Sequence, residues 1–119
     1  MKLTNSLNVK QLIETEWFDQ FDLMQQKQIE DGLSQGLQVE LYADPRYTAK
    51  QMQEIRRGLM SKVDVSVYAN SDFSDDQMEE IRRGLESGID VSQYVFPYLA
   101  SPVTRQKRER LEYEQTLNM

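Results

Sequence analysis

Gln51-Met52-Gln53-Glu54-Ile55-Arg56-Arg57-Gly58-Leu59 returns, 26 residues later, as Gln77-Met78-Glu79-Glu80-Ile81-Arg82-Arg83-Gly84-Leu85. A diverged copy precedes both at Gln25 to Leu33, in the same spacing. A fixed period of this size marks a supersecondary unit that cannot hide its apolar face alone and does so by stacking on its neighbours. The chain is therefore expected to be all-α: a short solenoid-like array of three 26-residue helical repeats with N- and C-terminal capping helices. Its 119 residues read as a single domain. The segments are an N-terminal cap over 1-20, repeats over 21-46, 47-72 and 73-98, and a C-terminal helix over 101-117.

Each unit can be read position by position. In Tyr47-Thr48-Ala49-Lys50-Gln51-Met52, Thr48 is the N-cap, Gln51 at N3 completes a capping box, and Tyr47 staples onto Met52. Phe73-Ser74-Asp75-Asp76-Gln77-Met78 repeats the arrangement. Phe21-Asp22-Leu23-Met24-Gln25 keeps the aromatic, the cap and the Gln, and Leu7-Asn8-Val9-Lys10-Gln11 supplies a fourth start outside the strict period. Within the helices, Met52, Ile55, Leu59 and Val63, and likewise Met78, Ile81, Leu85 and Ile89, form one buried stripe. Arg57 and Arg83 point away from it, and Arg56 and Arg82 flank it. Gly32, Gly58 and Gly84 share one register inside the helices, where Gly costs about 1 kcal/mol relative to Ala, so a neighbouring helix is expected to approach closely there.

The helices should stop near Gly36, Lys62 and Gly88, positions that call for a left-handed residue. Beyond them, Asp64 and Asp90 are placed to cap one short helical turn carrying Val and Tyr inward. Leu37 to Tyr42 lacks that Asp and alternates like a strand, but it has no pairing partner in the sequence, and the short helix is preferred. At the ends, Asn8 to Phe18 reads as a helix whose Leu12, Ile13 and Trp17 cover the first unit. Ser101-Pro102 reads as cap and N1 of a final helix running to about Leu117.

Composition narrows the chemistry. With no cysteine and no histidine, thiol nucleophiles, Cys/His zinc sites and imidazole acid–base catalysis are all excluded. Carboxylates remain, but thin stacked units rarely enclose the pocket that paired-acid catalysis needs, so no enzyme, cofactor or metal site is expected. The net charge of -6 disfavours a general nucleic-acid binder. No apolar run suggests a signal peptide or a membrane span, so a cytoplasmic location is expected.

The pattern Ala-Asp-Pro-x-Tyr/Phe, Gln-Met-x-Glu-Ile-Arg-x-Gly-Leu and Asp-Val-Ser-x-Tyr, spanning about residues 21 to 99, resembles short tandem repeats in hypothetical proteins of low-GC Gram-positive bacteria, often on phages and integrative elements. The resemblance implies a helical repeat in a mobile-element setting and carries over no functional residue. In the first copy, Glu30-Asp31 replace the Arg pair.

The functional expectation is a non-enzymatic protein binder, with an inhibitor of a host defence nuclease, of the anti-CRISPR type, as its concrete form. Arg57 and Arg83, one unit apart, could engage a partner's carboxylates or phosphates. The alternative is an acidic nucleic-acid mimic, because Asp72, Asp75, Asp76, Glu79 and Glu80 crowd into nine residues, although acids in a first helical turn are also favoured by the helix dipole. A DNA-contacting accessory role would draw on Arg56, Arg82, Arg105 and Arg108. The C-terminal helix, basic in its first half and acidic in its second, is the candidate for a partner dock or homodimer.

Overall fold

The computed structural model describes Gln11 and residues 14–118, and among these it contains helices and turns but no strand. In chain order the α-helices are α1 (Glu16–Asp19), α2 (Leu23–Ser34), α3 (Ala49–Met60), α4 (Asp75–Ser87) and α5 (Ser101–Leu117). Single 3-10 turns follow α2, α3 and α4 at Val39–Leu41, Val65–Val67 and Val91–Gln93. Each helix from α2 onward packs on the next, and the molecule measures 51 × 28 × 19 Å. Of the expected helix Asn8 to Phe18, the stretch up to Lys10, together with Leu12 and Ile13, lies outside the described residues; Gln11 is helical, but the chain turns at Glu14 and extends at Thr15, the N-cap of α1, so one continuous helix to Phe18 does not form.

The N-caps of α2, α3, α4 and α5 are Asp22, Thr48, Ser74 and Ala100, each 26 residues after the last. The first three make complete capping boxes with Gln25, Gln51 and Gln77. At α5 the expectation shifts by one: Ala100 is the N-cap, has no side chain to cap with, and leaves Ser101 inside the helix. That displacement keeps α5 in the common register.

The helices end on left-handed residues at Gly36, Lys62 and Gly88, with Lys62 the one non-glycine at positive φ among the described residues. In the turns that follow, the carboxylates of Asp64 and Asp90 accept from the backbone N–H of Ser66 and Ser92. Leu37 to Tyr42 folds the same way without such a cap.

Val39, Val65 and Val91 and the fully buried Tyr42, Tyr68 and Tyr94 enter the core between helices, joining Ile29, Met52, Ile55, Met78 and Ile81. Burial of these apolar groups is the main source of stability, at about 25 cal/mol per Å² removed from water. Trp17, partly buried, packs against this core and meets Phe21 edge-on at 5.2 Å between ring centroids.

The glycines at the common register have a different cause from the one expected. The three atoms nearest a Cβ at Gly32, Gly58 or Gly84 belong to no neighbouring α-helix but to the Val and Tyr of the turn that follows. A Cβ on Gly58 would stand 2.1 Å from the Tyr68 hydroxyl and 2.7 Å from Val65 Cγ1, both in the 3-10 turn of the same unit. The missing methyl leaves a notch through which Tyr68 donates to the carbonyl of Glu54, at 2.7 Å. Tyr42 reaches the Gln28 carbonyl beside Gly32 in the same way, and Tyr94 the Glu80 carbonyl beside Gly84.

Candidate protein-binding surface

The capping glutamines do more than cap. With its Oε1 accepting from the Thr48 N–H, Gln51 turns its Nε2 to the carbonyls of Ser71 at 3.2 Å and Phe73 at 2.6 Å, in the turn that starts the following helix. Gln25 bonds Pro45 and Tyr47 in this way, and Gln77 bonds Pro97 and Leu99. Every polar atom of these amides has a partner, which is why the three side chains can be buried.

A second ladder runs along the arginines. Arg56 Nε donates to Gln28 Oε1 at 2.9 Å, Arg82 Nε to Glu54 Oε2 at 2.9 Å, and Arg108 Nε to Glu80 Oε2 at 2.6 Å, each across 28 residues. Arg82 also pairs with Glu86, and Arg108 with Glu112, one helical turn on. Only 1% of the Glu80 side chain is exposed, and Arg105 bonds its other oxygen at 3.2 Å. Burial works to lower the pKa of the Arg82 and Arg108 guanidiniums, but their hydrogen bonds to carboxylates outweigh it and hold both above the ordinary arginine value. Ion pairs this enclosed tie one helix to the next.

This geometry sorts the candidate residues. Arg56, Arg82 and Arg108 are turned to the neighbouring helix and are largely committed there, with Arg82 12% exposed. Arg105 remains half exposed while bonded to Glu80. Arg57 is 45% exposed and gives one nitrogen to Glu54 at 2.9 Å. Arg83 is exposed and makes no ion pair among the described residues. Asp75, Asp76 and Glu79 likewise carry no ion pair among the described residues; Asp75 and Asp76 occupy the first turn of α4, where the helix dipole favours them. The surface therefore holds two outward guanidiniums at equivalent positions of α3 and α4, backed by a row of inward ones.

Sequence reasoning missed Gln28, Glu54 and Glu80 as the inward partners. The signal was present: an acid or amide at one position and Arg 28 residues later, three times over. It also missed Phe96 and Tyr98, stacked at 5.4 Å and exposed, where earlier turns carry Asp44 with Arg46 and Asn70 with Asp72.

Comparison of the chain with protein-family models, curated proteins and solved structures finds no match. No helix among the described residues is long and apolar enough to cross a membrane.

Proposed function

We propose that the chain is a non-enzymatic binding protein, a short solenoid-like array of three helical units closed by a helix at each end, which holds a protein partner through the outward side chains of α3 and α4. The observation that carries this reading is Arg83, an exposed guanidinium left without an ion pair among the described residues on a surface where Arg82 and Arg108 are tied inward. Arg57 stands at the equivalent position one helix back, and packed helices lie about 8–10 Å apart. A partner presenting two carboxylates or phosphates at that spacing would be gripped bidentately at each. The mobile-element setting implied by the repeat resemblance makes a host defence nuclease the first target class to assay, in the manner of an anti-CRISPR inhibitor.

Parallel affinity capture from a bacterial lysate with the wild type and with Arg57→Glu/Arg83→Glu tests the reading. The double variant should melt within a few degrees of the wild type yet fail to retain the proteins the wild type retains. Equal retention by both would refute it.

A second reading rests on Asp75, Asp76 and Glu79, whose carboxylates have no ion pair among the described residues and could occupy a basic nucleic-acid channel. A mimic of this kind displaces DNA from its target and ignores DNA itself, whereas a DNA-binding accessory protein would bind DNA directly and lose affinity steeply with salt.

A further inference from the structure

On α4, the strip containing Gln77, Ile81, Gly84 and Leu85 is met by Val91 and Tyr94 at the 3-10 turn and by the segment 97–99 that leads into α5. The same register on α5 holds Val103, Lys107, Arg110 and Leu111, and with Glu114 these line an open groove of about 410 Å³. Another unit of the repeat cannot cover it. Arg110 occupies the place of the glycine notch, where even a Cβ on Gly84 would stand 1.8 Å from a tyrosine hydroxyl, and Val103 has no amide to bond the turn of a following unit. Head-to-tail growth, the contact that would generate open filaments, is therefore blocked by sterics and by a lost hydrogen bond.

We infer that this groove is the two-fold interface of a homodimer in which the α5 helices of two copies lie antiparallel. The argument is charge complementarity along one face. Lys107 and Arg110 precede Glu114 on the groove and all three are exposed; Arg110 pairs with one oxygen of Glu114 on its own helix at 3.2 Å, and Lys107 has no ion pair among the described residues. An axis passing between Arg110 and Leu111 sets Lys107 of each copy against Glu114 of the other, because both lie three and a half residues from the axis. The same axis brings Val103 of each copy close to the exposed Leu117 of the other, so apolar contacts close both ends. A parallel arrangement would oppose Lys107 to Lys107 and Glu114 to Glu114, which like-charge repulsion disfavours, whereas in the antiparallel one only the two Arg110 side chains meet, at the axis, each paired with Glu114 of its own helix. The dimer is isologous and closed, and it leaves Arg57 and Arg83 of each copy on helices outside the contact.

Sedimentation equilibrium of the full chain over a wide concentration range tests this. The wild type should pass reversibly from 14.0 kDa to twice that mass and go no further. Lys107→Glu alone and Glu114→Lys alone should each weaken dimerisation at least tenfold, while an equimolar mixture of the two variants should recover it, since every cross-contact is then complementary. Both side chains are exposed, so circular dichroism should show unaltered folding. A wild type that stays at 14.0 kDa throughout, a mass that keeps growing with concentration, or a dimer indifferent to both variants would overturn the inference.

Discussion

A Cβ placed on Gly84 would lie 1.8 Å from the hydroxyl of Tyr94, and that hydroxyl uses the vacant space to reach the carbonyl of Glu80 at 3.1 Å. Glycine and tyrosine are thus two halves of one contact that recurs at Gly32 with Tyr42 and at Gly58 with Tyr68. The glycine weakens the helix it sits in, and the tyrosine locks the 3-10 turn onto that helix in exchange.

Gly84→Ala should therefore destabilise the protein despite the better helix propensity of Ala. Propensity alone would add about 1 kcal/mol, whereas overpacking against Tyr94 and Val91 costs about 1–3 kcal/mol and the displaced hydrogen bond about 1 kcal/mol. In a Tyr94→Phe background the penalty for Gly84→Ala should shrink by about 1 kcal/mol, since the clashing oxygen is gone. Urea denaturation of the four proteins measures this, and a stabilising Gly84→Ala would show that the notch is not needed.

Glu80 distinguishes loss of charge from loss of a partner. Glu80→Ala leaves Arg108 buried without its main acceptor and should cost about 3–5 kcal/mol. Glu80→Gln should cost less, because its one amide oxygen can still accept from Arg108 as Gln28 does from Arg56 at 2.9 Å, and the bond given up is the one to the half-exposed Arg105. Equal losses in thermal or urea unfolding would mean that the ion pair matters through its charge alone.

Gln51→Glu sets two effects against each other. At N3 of a helix the dipole favours an acid by about 0.3–1 kcal/mol. Here the side chain faces the carbonyls of Ser71 and Phe73, and a carboxylate can donate to neither, so a net loss of about 2 kcal/mol is expected. A rise in melting temperature would contradict the contact between units.

Alkaline pH should unfold the protein through its buried phenols. Burial raises the pKa of Tyr42, Tyr68 and Tyr94 above the ordinary value near 10. Below that value both folded and unfolded chains keep the proton, and the contribution is intact. Above it the unfolded chain ionises first, so each tyrosine withdraws up to about 1.4 kcal/mol of stability per pH unit. Stability measured between pH 9 and 12 should fall with a slope that Tyr68→Phe makes shallower, with Tyr47, whose pKa burial also raises, adding to the three; a flat profile would count against burial of the three hydroxyls.

The sequence by itself determined the local elements. The caps Asp22, Thr48 and Ser74, the stops at Gly36, Lys62 and Gly88, and the short turns behind Asp64 and Asp90 depend on bonds spanning two to five residues, and residue type reports these directly. It also marked Arg57 and Arg83 as outward, because helical periodicity assigns faces.

Only the tertiary structure decided what happens between elements. The use of Gly58 as a notch for Tyr68, the second set of bonds made by Gln51, and the inward commitment of Arg82 and Arg108 rest on contacts 14 to 28 residues apart in sequence. Such contacts depend on how one unit rotates and slides against the next. That placement is set by the summed packing of Tyr, Val and Met side chains between helices, and local propensity carries no record of it.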